Sequence, residues 1–209
     1  MIVENIDFSD KYNLVILKIS DEEFLLSYDF YNDLMISVDQ ELSFDDFKKI
    51  VREDQYNKAK NYALAKISFG QKTSFELEKL LKDNDFDGET ISRVILFLNE
   101  YGLIDDELYV KSFINDKHSI SKWSINKIRY ALKGKKIDDT LIEKYISEID
   151  KKEEYQNAYD FAIKKARNDF SIDNKQKVFR YLAGKGFDFD IINKVIGEIF
   201  KWHSVMSIF

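Results

Sequence analysis

The chain carries few residues arranged for covalent or metal chemistry. It has no cysteine, so neither a disulfide framework nor a thiolate nucleophile is available. Its two histidines, His118 and His203, lie far apart, and neither stands at metal-ligand spacing from an Asp or Glu. Both read as helix-end or surface residues. Gly184-Lys185-Gly186 lacks the Walker spacing and the preceding strand that a phosphate loop needs. Carboxylates are abundant but fall mostly at helix starts and on polar faces, and no Ser-His-Asp order stands out. No catalytic, cofactor or metal site is expected, and the chain does not read as an enzyme.

Cations form the more informative pattern. Lys122, Arg129, Lys133 and Lys136 follow one another at intervals of 7, 4 and 3, a spacing that places them on one side of a helix. Ile125, Ile128 and Leu132 form the apolar side of the same helix. A second collection comprises Lys164, Lys165, Arg167, Lys175, Lys177, Arg180 and Lys185. Such side chains either contact phosphates or stand on the solvated faces of amphipathic helices. Trp123 and Trp202 read as core or inter-repeat contacts rather than base-stacking platforms.

The overall net charge of −6 conceals an uneven distribution. Residues 1–50 hold 12 acidic and 4 basic side chains, whereas the remainder is slightly basic. Hydrophobic residues make up 44% and charged residues 33%, as in a soluble globular protein. No apolar run reaches the length of a membrane span and no secretory signal opens the chain, so a cytoplasmic location is expected. The absence of proline fits helices, although a composition rich in Lys, Asn, Ile, Tyr and Phe is also what an AT-rich genome imposes.

The elements that position these residues fall into two textures. Ile2–Phe8, Leu14–Ile19 and Phe24–Leu26 alternate or run apolar with turn residues between them (Asp10-Lys11-Tyr12-Asn13 and Ser20-Asp21-Glu22), which predicts a three-stranded antiparallel meander. Its apolar face must be covered by the following helices or by another chain. From Ser43 the pattern is helical, opening on a capping-box-like Ser43-Phe44-Asp45-Asp46.

Internal repetition then dominates. Leu77, Leu80, Leu81, Phe86, Ile91, Val94 and Ile95 recur as Ile128, Ala131, Leu132, Ile137, Ile142, Tyr145 and Ile146. They recur again as Val178, Tyr181, Leu182, Phe187, Ile192, Val195 and Ile196. Phe69, Ile120 and Phe170 extend the equivalence. Each copy ends a helix with four residues that stop helices readily, then an apolar anchor and an Asp suited to cap the next helix: Asp87, Asp138 and Asp188. Three helices per repeat are predicted, over 54–68, 74–83 and 88–101, then 106–118, 122–133 and 139–149, then 152–168, 174–184 and 189–202. The expected fold class is mainly α: three tandem three-helix repeats in an elongated array, preceded by a small antiparallel β meander. The expected divisions are an N-terminal β-rich segment over 1–42, a linker helix with the first repeat over 43–104, the second repeat over 105–150 and the third over 151–209.

The motifs between and within the copies resemble the RecX family. They are Leu98-Asn99-Glu100-Tyr101-Gly102-Leu103-Ile104-Asp105-Asp106-Glu107-Leu108-Tyr109, the turns Leu132-Lys133-Gly134-Lys135-Lys136-Ile137 and Leu182-Ala183-Gly184-Lys185-Gly186-Phe187, and the helix opening Thr73-Ser74-Phe75-Glu76-Leu77. The resemblance covers about residues 50–202. The chain departs from it at Phe69-Gly70-Gln71-Lys72 and Asn115-Asp116-Lys117-His118, where members are often more basic, and at Val110 in place of an Ala. The resemblance implies a cytoplasmic regulator that binds RecA protein and the RecA–single-stranded DNA filament and inhibits its ATPase and strand exchange, within DNA repair, homologous recombination and the SOS response. It implies no cofactor, no membrane partner, a monomer, and weak direct DNA contact at most. The alternative is a helical-repeat protein–protein adaptor without nucleic-acid contact. A sequence-specific DNA-binding protein is a third reading, which the acidic N-terminal segment and sparse arginine disfavour.

Overall fold

A computed structural model describes residues 1–9 and 13–206, with side chains to residue 201. The Asp10-Lys11-Tyr12 part of the first predicted turn and the side chains of Trp202 and His203 lie outside the described residues. The chain divides into two compact units, Met1–Asp105 and Asp106–Phe209.

The first unit opens with β1 (Val3–Ser9), β2 (Leu14–Ile19) and β3 (Glu22–Ser27), an antiparallel sheet in that order. Leu17 pairs with Phe24 and Ile19 with Glu22, so the β2–β3 turn is Ser20-Asp21, both at positive φ as a tight right-twisted hairpin requires. Val15, Leu17, Ile19, Phe24 and Leu26 point to one face and are buried. Each of the larger ones contributes roughly 1.5–3 kcal/mol by leaving water. What covers that face is the same chain: α2 (Phe44–Ser68) lays Ile50 and Phe47 on it, and the Phe47 ring meets Phe24 edge-on at 5.6 Å. Ser43 caps α2 by accepting from the Asp46 N–H at 3.1 Å. The predicted helix over 54–68 is thus the second half of a longer one. A short helix, α1 (Tyr28–Leu34), escaped the sequence reading: its two turns are too short to show a periodicity, and only the Ser27 cap marks it.

The same α2 also closes the edge of the sheet. Asp54 Oδ1 accepts the Leu25 N–H at 2.9 Å, and Asn57 Nδ2 donates to the Leu25 carbonyl at 3.0 Å. Two outward backbone groups of edge strand β3 are thereby satisfied by a helix rather than by a further strand. Glu53 joins them, accepting from Ser27 and Asn57 and pairing with Arg93. The rest of the unit is the first helix triple. Ala59 and Ala63 of α2 pack against Leu77 and Leu81 of α3 (Ser74–Lys82) and Val94 and Leu98 of α4 (Gly88–Glu100). Thr73 and Glu76 form a full capping box on α3. Gly102 at φ +62 ends α4, with the Leu103 N–H returning to the Leu98 carbonyl at 2.8 Å, and Ile104 anchors the turn in the core.

The second unit holds two helix triples. The first is α5 (Asp106–Ile114), continued by a π-helical turn over Asn115–Ile120, then α6 (Ile125–Gly134) and α7 (Asp139–Ile146). The second is α8 (Lys151–Ala166), α9 (Ile172–Gly184) and α10 (Phe189–Met206). All seven repeating positions are buried or half-buried in every copy, which accounts for their apolar code. The eighth does not behave as a core position: Phe69 and Ile120 are 86% and 71% exposed, and only Phe170 packs, against Phe200 at 5.7 Å. Asp87 and Asp138 cap their helices as expected, and capping holds both carboxyls below their usual range. Asp188 accepts from Asn126 at 2.6 Å.

Candidate nucleic-acid interface

His118, the histidine whose side chain is described, is engaged in the fold. It is buried in the π-helical turn that ends α5, its Nε2 lying 3.1 Å from Glu154 Oε2, so of the two expected places, helix end or surface, it takes the helix end, with its ring in the interior. The other oxygen of Glu154 accepts the Ile125 N–H at the start of α6, and Asn157 donates to the His118 carbonyl at 3.1 Å. Glu154 and Asn157 stand where α8 meets the end of one segment and the beginning of the next, and they satisfy backbone that no helix pairs. Among the described residues no group of three or more His, Asp or Glu could hold a metal ion. The Gly184-Lys185-Gly186 turn docks on α6: Ser124 Oγ donates to the Lys185 carbonyl at 2.8 Å, and Asn126 donates to that of Gly186 at 3.1 Å. Gly186 sits at φ +88, where a Cβ would lie 2.8 Å from Ser124 Oγ. Glycine is required here for a close approach between repeats and not for a phosphate.

The predicted stripe of the middle repeat comes apart in two ways. Helix α6 runs from Ile125 to Gly134, so Lys122 lies before it and Lys136 beyond it, both at left-handed φ (55° and 57°). Only Arg129 and Lys133 share the helix. Ser124 accepts the Lys127 N–H as N-cap and sets the later start. In addition, three of the four cations have carboxylate partners. Lys122 pairs with Asp160 of α8 and Lys133 with Asp139 at 3.0 Å. Arg129 grips both oxygens of Glu143, at 2.6 and 3.1 Å, and also donates to Asn126 at 2.6 Å. The Arg129 hydrogen bond holds the Glu143 carboxyl below its ordinary range, and Lys122 does the same for Asp160. Lys136 alone is exposed without an ion pair among the described residues.

The third-repeat set differs. Lys164, Lys165, Arg167, Lys175, Lys177, Arg180 and Lys185 form no ion pair among the described residues. All but Lys185 are exposed. Lys164 and Lys165 occupy the last turn of α8, where cations complement the helix dipole, and Arg167 ends that helix at φ 51°. Lys185 Nζ lies 4.7 Å from the Phe161 ring centre and 5.3 Å from that of Tyr181, and Lys165 is 5.3 Å from the same tyrosine. Lys165 and Lys185 thus flank the Tyr181 ring, whereas Lys177 lies near the Asp169 carboxylate and helps to hold it low. Lys175 and Arg180 point elsewhere, to the side of α9 that faces α10.

Sequence reasoning passed over Lys127, whose ammonium stands 3.8 Å from the centre of the Trp123 ring, and Lys117, 5.5 Å from the same ring. Trp123 meets Phe113 edge-on at 6.3 Å and is half-buried, as a contact tryptophan should be. The i,i+4 relation of Trp123 and Lys127 was the available signal.

Comparison with known proteins agrees with this architecture. The family model described as "RecX, second three-helix domain" matches residues 105–146, and "RecX, third three-helix domain" matches residues 152–196. "Regulatory protein RecX" of Clostridium perfringens (strain 13 / Type A) is 35% identical over 170 residues, covering 78% of this chain and 79% of that protein. Its namesake in Clostridioides difficile (strain 630) is 33% identical over 165 residues, covering 78% and 77%. A crystal structure of regulatory protein RecX superposes with a TM-score of 0.76 at 22% identity, over 96% of this chain and 98% of the other. That of RecX from Lactobacillus salivarius gives 0.65 at 29% identity, over 70% and 97%. No helix among the described residues is long and apolar enough to cross a membrane.

Proposed function

The chain belongs to the RecX family, and from that membership we propose that it regulates the RecA recombinase by binding RecA and its filament on single-stranded DNA, lowering ATPase and strand exchange. The observation that carries this reading is the group of exposed, unpaired cations on α8 and α9, within the stretch that matches the family's third three-helix domain. Cations already matched to carboxylates gain little from a phosphate, because the existing pair must be broken first. Unmatched ones displace condensed counterions and gain their full entropy of release. The protein acts by occupancy, with no cofactor and no chemical step. Lys164, Lys165, Arg167, Lys177 and Lys185 face phosphates in this reading, while Lys122, Arg129 and Lys133 hold the middle repeat together and Lys136 adds a peripheral charge.

The test is the single-stranded-DNA-dependent ATPase of the host's own RecA, with this protein added after filaments have formed. ATPase should fall with dose at substoichiometric protein, and the inhibition should weaken steeply with added salt. An unchanged rate together with no capture of RecA overturns the reading in favour of an adaptor for another protein.

A further inference from the structure

A groove between α9 and α10 has no role in the repeat's core or among the phosphate-facing cations. It encloses about 520 Å³ and is lined by Ile172, Lys175, Phe179 and Arg180 from α9 and by Asn193 and Gly197 from α10. Its lining combines apolar side chains, the amides of Gln176 and Asn193 and the cations Lys175 and Arg180, with no carboxylate. Ile172 is 78% exposed, and the Phe179 ring stacks at 5.9 Å on Phe189, itself 66% exposed, so apolar surface continues past the groove. Lys175 and Arg180 form no ion pair among the described residues.

Gly197 is the second observation. It lies in the interior of α10, where glycine lowers helix stability relative to any ordinary residue. Nothing in its surroundings demands it: its backbone is not in the left-handed region, and an added Cβ would meet no atom within 4 Å. The missing side chain leaves bare helix backbone open to the groove.

We infer that this groove binds an acidic segment of a partner protein, anchored by one large apolar side chain. The anchor lies over Gly197 between Ile172 and Phe179, and carboxylates on either side meet Lys175 and Arg180, whose guanidinium can take a carboxylate through two hydrogen bonds. Nucleic acid fits less well. Two cations give a short phosphate track, and the one aromatic face nearby is already stacked on Phe189. The inference goes beyond filament regulation, since binding requires neither RecA nor DNA.

Fluorescence anisotropy on the full chain tests it, in the absence of RecA and DNA. The probe is a labelled peptide of about ten residues that alternates Asp or Glu with Leu or Phe. Comparison probes are the same peptide with Lys for each acid, and a labelled oligothymidylate. The acidic peptide should bind saturably and lose affinity with salt, while the lysine version should not bind. Gly197→Leu should weaken binding about tenfold or more without lowering the melting temperature, because a side chain there favours the helix. Gly197→Ala provides a smaller filler should the leucine disturb folding. The double variant Lys175→Glu/Arg180→Glu should weaken binding about as much, and Lys194→Glu, outside the groove, should change it less than about twofold. Absence of saturable binding by the acidic peptide, or undiminished binding by both Gly197 variants, overturns the inference. So does oligothymidylate binding that the Gly197 variants abolish while the peptide fails to bind. None of these outcomes bears on the RecA ATPase result.

Discussion

The second and third helix triples are built on one apolar code yet treat their cations in opposite ways. In the middle triple Lys122, Arg129 and Lys133 each face a carboxylate on another element, so their charge links α6 to α7 and the segment before α6 to α8. In the third triple none of the seven named cations forms an ion pair among the described residues, although Lys177 of α9 lies near enough to Asp169 to help hold its carboxyl low. Spacing along the chain suggested the reverse emphasis, because the middle set had helical intervals and the third was scattered. Periodicity of charge thus reports which side of a helix a cation occupies and says nothing of what faces it. A cation opposite a helix bearing acids is cement for the fold. A cation opposite solvent or an aromatic ring retains its charge for a partner.

The largest expected effect tests that contrast directly. Replacing Lys164, Lys165, Arg167 and Lys177 together by Ala should raise the protein concentration needed for half-inhibition of filament ATPase by about tenfold to a hundredfold. The salt slope of filament binding should fall by roughly 3–4 units, about one per lost phosphate contact. Replacing Lys122, Arg129, Lys133 and Lys136 should change half-inhibition by less than about threefold, because the cations lost there, Lys136 apart, are already matched by carboxylates in exposed or half-exposed pairs, each contributing roughly 0–1 kcal/mol to the fold. Equal losses in the two quadruple variants would erase the distinction, and a greater loss in the middle variant would invert it.

A smaller effect separates the triples by acid. In the middle triple Glu143 is held low by Arg129, and Glu107 is lowered to about 2 by hydrogen bonds from Tyr145 and Lys144. A carboxyl whose folded pKa is depressed stabilises the fold above its unfolded value, and that contribution disappears as pH falls through the folded one. For Glu107 the loss runs from its ordinary 4.5 down to about 2. In the third triple, among the described carboxyls of α9, α10 and the segment before them, Asp169 is the one resolved as held low, by Ser171. Amide exchange followed from about pH 5 to pH 3 should therefore show protection falling sooner in α6 and α7 than in α9 and α10. Uniform loss over all four helices would mean that these pairs contribute nothing local.

The fold was readable where it depends on what neighbouring residues do together. Seven apolar positions at fixed intervals set three cores, and Asp87 and Asp138 begin helices because capping is local. The candidate interface was less readable, for a matching reason. Arg129 and Glu143 are 14 residues apart and Lys122 and Asp160 are 38 apart, distances over which the sequence carries no pairing signal. The buried polar clamps were hidden likewise. Asp54 and Asn57 in the first unit and Glu154 and Asn157 in the second read as solvated charge and amide, because what makes them interior is the unpaired backbone of Leu25 in one case and of Ile125 and His118 in the other. The groove at Gly197 was invisible for another reason: a glycine's missing side chain has no signature until the surrounding helices enclose the space.

The smallest expected effect concerns the turn that each triple shares. Gly134 and Gly184 stand at equivalent places in two copies, yet the left-handed residue falls two positions later, at Asp85, Lys136 and Gly186, with φ of 62°, 57° and 88°. Only the third copy has glycine there, and only there is the reason steric, since the turn touches Ser124 of the neighbouring repeat. Lys136 holds the strained conformation with its side chain in solvent, so Lys136→Gly should relieve strain at no cost in contacts. A net stabilisation of about 0.5–1 kcal/mol is expected once the larger entropy glycine gives the unfolded chain has been subtracted. That corresponds to a rise of roughly 1–4 °C in the melting temperature of a protein this size. Filament inhibition should stay within about twofold, since one peripheral charge is lost. A fall in melting temperature would mean that the Lys136 side chain holds the turn by a contact that outweighs its strain. In that case the middle triple would use this cation too as cement, and the contrast with the third would be complete.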